Sequence, residues 1–218
     1  MSLGEQETDA AGAQALPRFL RLLSEALERP AEGGADAAFF RDRIAHALLA
    51  EPDVSTQPQS VPVLEACLAS LSQDGSADRL TGATRGLLPA LHFVQSESYL
   101  RNPPSPGFAR GYGYAVICGP RQGPPTLLCD EEMALGVLAL GPGVHYPAHH
   151  HPAAEIYHVI SGRAKWWKAG GAWSVKAPGE TIHHPSGTAH ATWAGDEPLI
   201  AVYLWRGDLM TDATFVTS

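Results

Sequence analysis

The chain has 218 residues, 44% of them hydrophobic and 17% charged, with a formal net charge of −8. That length buries one core without disulfide or structural-metal support, so a metal site here points to function rather than to folding. The acidic balance and the lack of any Lys/Arg cluster argue against a nucleic-acid binder, and no run of about 18 apolar residues marks a membrane span.

The first residues, MSLGEQETDAAGAQ, carry neither the basic start nor the apolar stretch of a secretory leader. Cys67, Cys118 and Cys129 are odd in number and lack CxxC spacing, which reads as free thiols in a reducing compartment. Both features point to a cytoplasmic protein.

From about Leu16 to Leu100 the pattern is helical. Phe19, Leu20, Leu22, Leu23, Ala26 and Leu27 form one apolar stripe, closed by Pro30 and Gly33-Gly34. Phe39, Phe40, Ile44, Leu48 and Leu49 form a second before Pro52, and Val63, Leu64, Cys67, Leu68 and Leu71 a third. Leu87 to Leu91 are apolar as well, but Pro89 argues against a long helix there.

After the loop Asn102 to Gly107 the period changes to that of strands: Tyr112 to Val116, Ala134 to Leu140, Glu155 to Ile160, Ala164 to Lys168, Trp173 to Lys176 and Leu199 to Trp205. Gly/Pro turns separate them at short intervals. The expected organisation is therefore a helical segment, residues 1–101, followed by a mainly β barrel or sandwich, residues 102–218. The helices either pack on the barrel or form the surface of a homodimer, and the pattern does not choose between these roles.

Eight of the ten histidines lie between His145 and His190. His149 and His151 sit two apart, so on one extended strand they share a face, with Glu155 four further along and again in phase. His190, in a second stretch, closes the set. Three imidazoles and a carboxylate suit one divalent transition metal ion: iron, zinc, manganese, cobalt or nickel. A His-x-His followed by Glu arises by chance, and histidine-rich tracts also occur as surface features. The glycine and proline framework separates these readings. Gly143 to Gly162 fits G-x5-H-x-H-x3-E-x6-G, and Gly179 to His190 fits G-x5-P-x-G-x2-H.

These two motifs resemble those of the cupin superfamily, which implies a single jelly-roll barrel and a metal bound by His149, His151, Glu155 and His190. One departure is Ala194, where cupins commonly place Asn. Within that superfamily the chain resembles the cupin-type dimethylsulfoniopropionate lyases, which share an amino-terminal helical segment of this size and the core Y-x2-H-x-H-x3-E-x-Y. Here that core is Tyr146, His149, His151, Glu155 and Tyr157. The resemblance implies cleavage of a small zwitterionic substrate, dimethylsulfoniopropionate, to acrylate and dimethyl sulfide, with Tyr157 or Tyr146 as the base.

A phenol with an ordinary pKa of about 10 is protonated at neutral pH, and a nearby cation favours the phenolate. Tyr157 follows Glu155 by two residues and so shares its strand face. His145, His150 and His158 read as solvent-facing or peripheral, and His183 and His184 as strand or turn residues rather than ligands. Among aromatic residues able to hold a sulfonium head, Trp193 and Tyr203 stand ahead because they follow the last ligand on nearby strands. Competing functions are an oxygen-using cupin dioxygenase and a non-catalytic small-molecule-binding cupin; the latter is disfavoured by the lack of a DNA-recognition helix.

Overall fold

The computed structural model describes residues 3–53, 55–73, 78–105 and 107–216, with backbone alone for residues 3–14 and 73. Met1 and Ser2 of the amino-terminal stretch and Pro106 of the inter-segment loop thus lie outside the described residues. Four main helices come first: α1 (Leu3–Ala26), α2 (Gly34–Ala47), α3 (Pro62–Gln73) and α4 (Arg79–Leu87), the last running into a 3-10 turn that contains Pro89. The first three carry most of the predicted stripes; Leu27 lies just past α1, and Leu48 and Leu49 lie past the end of α2, where Leu49 is exposed. Nothing in the apolar spacing announces α4, whose Gly82, Gly86 and threonines are weak helix formers. It forms because Asp78 caps it, accepting from the Thr81 N–H at 2.7 Å, and because it packs closely on α1, with Gly86 facing Ala15. Among the described residues no helix is long and apolar enough to cross a membrane.

The β region follows as β1 (Phe93–Val94), the short helices α5 (Glu97–Arg101) and α6 (Phe108–Gly111), then β2 (Tyr112–Gly119), β3 (Leu128–Cys129) and β4 (Met133–Leu140). Next come β5 (His145–His150), β6 (Ala154–Ser161), β7 (Ala164–Lys168), β8 (Ser174–Lys176), β9 (Thr181–His184), β10 (His190–Ala194), β11 (Leu199–Arg206) and β12 (Thr214–Phe215). The larger sheet runs β1-β2-β4-β11-β6-β9, with β3 beside β2, and the smaller runs β12-β5-β10-β7-β8. The two form a mainly β, jelly-roll-like barrel, with the helices on the outer face of the larger sheet.

That cover explains the strand sequences. An antiparallel strand with one wet face alternates polar and apolar residues, yet β4 is buried at all eight positions. On β11, Ile200, Val202 and Leu204 join the aliphatic core under the helices, while Leu199, Ala201 and Tyr203 face the barrel interior. Phe19 and Leu23 of α1 and Phe40 and Ile44 of α2 fill the helical side of that core, each fully buried. A buried side chain of this size contributes about 1.5–3 kcal/mol.

The motif glycines have a physical basis here. Gly143, Gly162, Gly179 and Gly187 all adopt left-handed φ, from 69° to 86°. At Gly162 the Pro198 carbonyl also occupies the space a Cβ would take.

Candidate metal centre

The four predicted ligands meet, but not from one strand. His149 lies on β5 and His190 beside it on β10, paired in register in the smaller sheet. Between His150 and Ala154 the chain turns the barrel corner, with His151 in the turn, and delivers Glu155 on β6 of the larger sheet. The in-phase single-strand expectation is therefore corrected. Two sheets contribute to the cluster, and the corner carries one of its four side chains itself.

His149, His151 and His190 each offer a nitrogen within 4.8 Å of the others, and such a triad can hold a metal ion. Glu155 Oε2 lies 3.1 Å from His151 Nε2 and 3.2 Å from His190 Nε2. All four side chains are buried. In each imidazole the other nitrogen, Nδ1, donates to a backbone carbonyl: Pro147 for His149 at 2.7 Å, Ala153 for His151 at 3.0 Å and Thr188 for His190 at 2.9 Å. A proton held on Nδ1 leaves the Nε2 lone pair free, the tautomer that a metal-ligating histidine requires.

Those lone pairs face a carboxylate. Burial pushes the Glu155 pKa up, but its contacts with His151 and His190 outweigh that and hold it well below the ordinary range. An anion against bare imidazole nitrogens needs a proton or a cation between them, and the buried His190 Nε2 has no hydrogen-bond partner. Donors at about 2.0–2.2 Å from one ion and roughly a right angle apart stand about 3 Å from each other, close to the gaps observed. Burial also lowers the His149 pKa to about 3, which keeps it neutral and able to ligate. The donor set fits a divalent ion.

A cavity of about 400 Å³ opens beside the cluster. It reaches the cluster at Glu155, between Tyr146 and Tyr157, and all six tyrosines of the chain line it. Tyr157 sits on the same face of β6 as Glu155, packed on Trp166 at 4.9 Å between ring centroids. Tyr146 stacks on His149 at 4.1 Å, and its hydroxyl lies 3.1 Å from that of Tyr99. Burial raises the pKa of both phenols well above 10, with the Glu155 charge adding to it at Tyr157.

The other predicted aromatics divide. Tyr203 lines the cavity, opposite Gly136, whose missing side chain leaves room for its ring. Trp193 does not: it is exposed on the outer face of the smaller sheet, its indole donating to the Gly143 carbonyl at 3.0 Å. On β10 it alternates with the inward-facing Thr192, and position on a nearby strand says nothing about face. His150 is exposed, and His158 is buried, its ring 3.1 Å from Thr181 Oγ1.

His184 on β9, read as a strand or turn residue, and Trp205 on β11 also stand beside the cluster, a placement the sequence reading did not give. They flank Glu155 in register on either side, and His184 stacks on His190 at 4.1 Å. Strand register was the missing signal.

A family model described as dimethylsulfoniopropionate lyase matches residues 8–201. The chain belongs to the dimethylsulfoniopropionate lyase family. A curated relative in that family, the putative dimethylsulfoniopropionate lyase DddL of Cereibacter sphaeroides, is 30% identical over 88% of this chain and 83% of its own. The dimethylsulfoniopropionate lyase DddQ of Ruegeria pomeroyi is 39% identical over 45% of this chain, a match spanning about half, 48%, of that relative. The crystal structure of DddQ from Ruegeria pomeroyi superposes with a TM-score of 0.65 at 25% identity, over 92% of this chain and 96% of that one. A chain from the crystal structures of the lyases RdDddP and RnDddQII gives 0.70 over 94% of this chain and all of its own; at 23% identity this likeness is one of fold.

Proposed function

We propose that the protein is a metal-dependent carbon–sulfur lyase that splits dimethylsulfoniopropionate into acrylate and dimethyl sulfide. The observation that carries this reading, beside family membership, is the character of the cavity. Among the described residues its wall has six tyrosines and two carboxylates, Glu155 at the floor and Asp212 at the rim, and no basic side chain. An anion alone would be repelled from it. A zwitterion fits, with its sulfonium against aromatic faces and its carboxylate directed to the floor. Asp212 adds to the burial that raises the pKa of Tyr99 and Tyr114, so a negative charge stands where the cationic head would lie.

His149, His151, Glu155 and His190 are the proposed ligands. An ion held by these four residues would supply Lewis-acid stabilisation of the charge that grows beside the substrate carboxylate. Tyr157 is the proposed base: its phenolate oxygen takes the proton from the carbon next to the carboxylate, the freed electron pair forms the double bond, and the carbon–sulfur bond breaks with its pair leaving on neutral dimethyl sulfide. The raised pKa of Tyr157 without an ion is opposite to what a base needs, so positive charge beside Glu155 is essential to this role. Tyr146, stacked on His149, orients the substrate. The identity of the ion among iron, zinc, manganese, cobalt and nickel follows from metal analysis. A cytoplasmic setting agrees with Cys67, Cys118 and Cys129 being free.

The test is to incubate the protein, reconstituted with each of these metals in turn, with dimethylsulfoniopropionate and assay both products. Equimolar dimethyl sulfide and acrylate support the reading. Metal-loaded protein that yields neither overturns it, and oxygen uptake with thiol substrates would replace it by the dioxygenase reading.

A further inference from the structure

We infer that Trp205 is the positioning residue that sets how Glu155 meets the metal ion. This rests on the reading of His149, His151, Glu155 and His190 as a metal site. Trp205 and Glu155 are directly paired across β11 and β6. The indole N–H donates to Glu155 Oε1 at 2.6 Å, while Oε2 of the same carboxylate faces His151 and His190. One oxygen is thus tied by the indole and the other is left for the imidazole cluster. The indole face also stacks on the His151 ring, at 4.0 Å between centroids and 28° between planes. A single side chain therefore orients two of the four donors.

Tryptophan suits this task. Its ring nitrogen donates and never accepts, and it carries no charge, so it fixes the carboxylate without competing with a cation for it. The ring is held in turn. Tyr203 meets it edge-on at 6.1 Å, and the next residue, Arg206, pairs with Asp36 of α2 at 2.9 Å. Trp205 also forms part of the cavity wall. Losing the N–H frees Glu155 to rotate Oε1 toward the ion or the cavity, which changes both the grip on the metal and the space beside it.

The experiment compares wild type with Trp205→Phe, which retains a stacking ring and loses the donor. Affinity for cobalt(II) or zinc(II) alone is measured by competition with a chelator, and the visible bands of the cobalt protein are recorded. The expected result is metal binding weaker by about 10–100-fold, the range for loss of a hydrogen bond behind a ligand, with altered cobalt bands and an unchanged thermal midpoint of the metal-free protein. Affinity within twofold of wild type and identical bands overturn the inference. If wild type itself binds neither ion, the metal-site reading fails instead.

Should Trp205→Phe not fold, the indole N–H resonances of wild type and Glu155→Gln decide. The Trp205 resonance shifts between the two proteins and on zinc addition if the bond links it to the site; a resonance indifferent to both overturns the inference.

Discussion

The two faces of the larger sheet make a contrast within single strands. Toward the helices, Leu135, Val137, Ile156, Ile160, Val202 and Leu204 form an aliphatic layer. Toward the barrel, two of the same strands present Tyr157, Tyr203 and Glu155, and every tyrosine of the chain lines the cavity on that side. The aliphatic layer is built by closeness of packing. The interior is built by polar atoms that have partners, plus a few, such as both nitrogens of His184, that have none among the described residues. Buried polar groups without partners cost stability, so their accumulation on one face marks where folding has been subordinated to chemistry.

That contrast breaks most sharply at the ligands. His190→Ala is expected to lower product formation by about 1000-fold or more, the scale of losing the Lewis acid, with metal content falling alongside. Retention of both metal and activity would remove His190 from the site. Next comes Tyr157→Phe, expected to cut turnover by about 10²–10⁴-fold, the usual worth of a positioned base, while metal content stays at the wild-type level. Full activity in this variant would exclude Tyr157 as base and leave Tyr146→Phe as the next substitution to assay.

The helical side should respond in the opposite way. Phe40→Ala empties a fully buried position on α2 and is expected to cost about 3–5 kcal/mol in urea unfolding, with turnover per folded molecule unchanged. A large change in turnover would mean that the two faces are coupled.

The smallest effect concerns acid. Burial, before any other cause, holds the pKa of His149 at about 3 and of His184 at about 2. In the unfolded chain both take up protons near pH 6.5, while the folded protein does not, so folding loses stability as pH falls below that value. Between pH 7 and 6 the metal-free protein should lose about 1 kcal/mol in urea unfolding, steepening at lower pH. Phe40→Ala should shift the whole curve without altering its slope, since no titrating group is involved. A curve flat from pH 7 to 5 would count against the neutral, buried state of these imidazoles.

Much of this was legible in the residues. Helical stripes, strand periods and the turn glycines depend on local spacing; His149, His151, Glu155 and His190 were picked out by the two glycine and proline frameworks, while the single-strand phase argument for them failed. The α4 helix was not legible, because packing against α1 and the Asp78 cap override poor helix formers. Nor was the face of Trp193, which needs the phase of β10 relative to the barrel axis.

What the chain by itself determined is therefore the list of candidate donors and the mainly β class of the barrel that gathers them, since both are written in residue type and motif spacing. Only the tertiary structure decided that Glu155 reaches the cluster from the larger sheet, that Trp205 and His184 stand on either side of it, and that the tyrosines share one cavity. These depend on strand register and on where the chain turns from one sheet to the other, which join residues about 50 positions apart, such as Glu155 and Trp205.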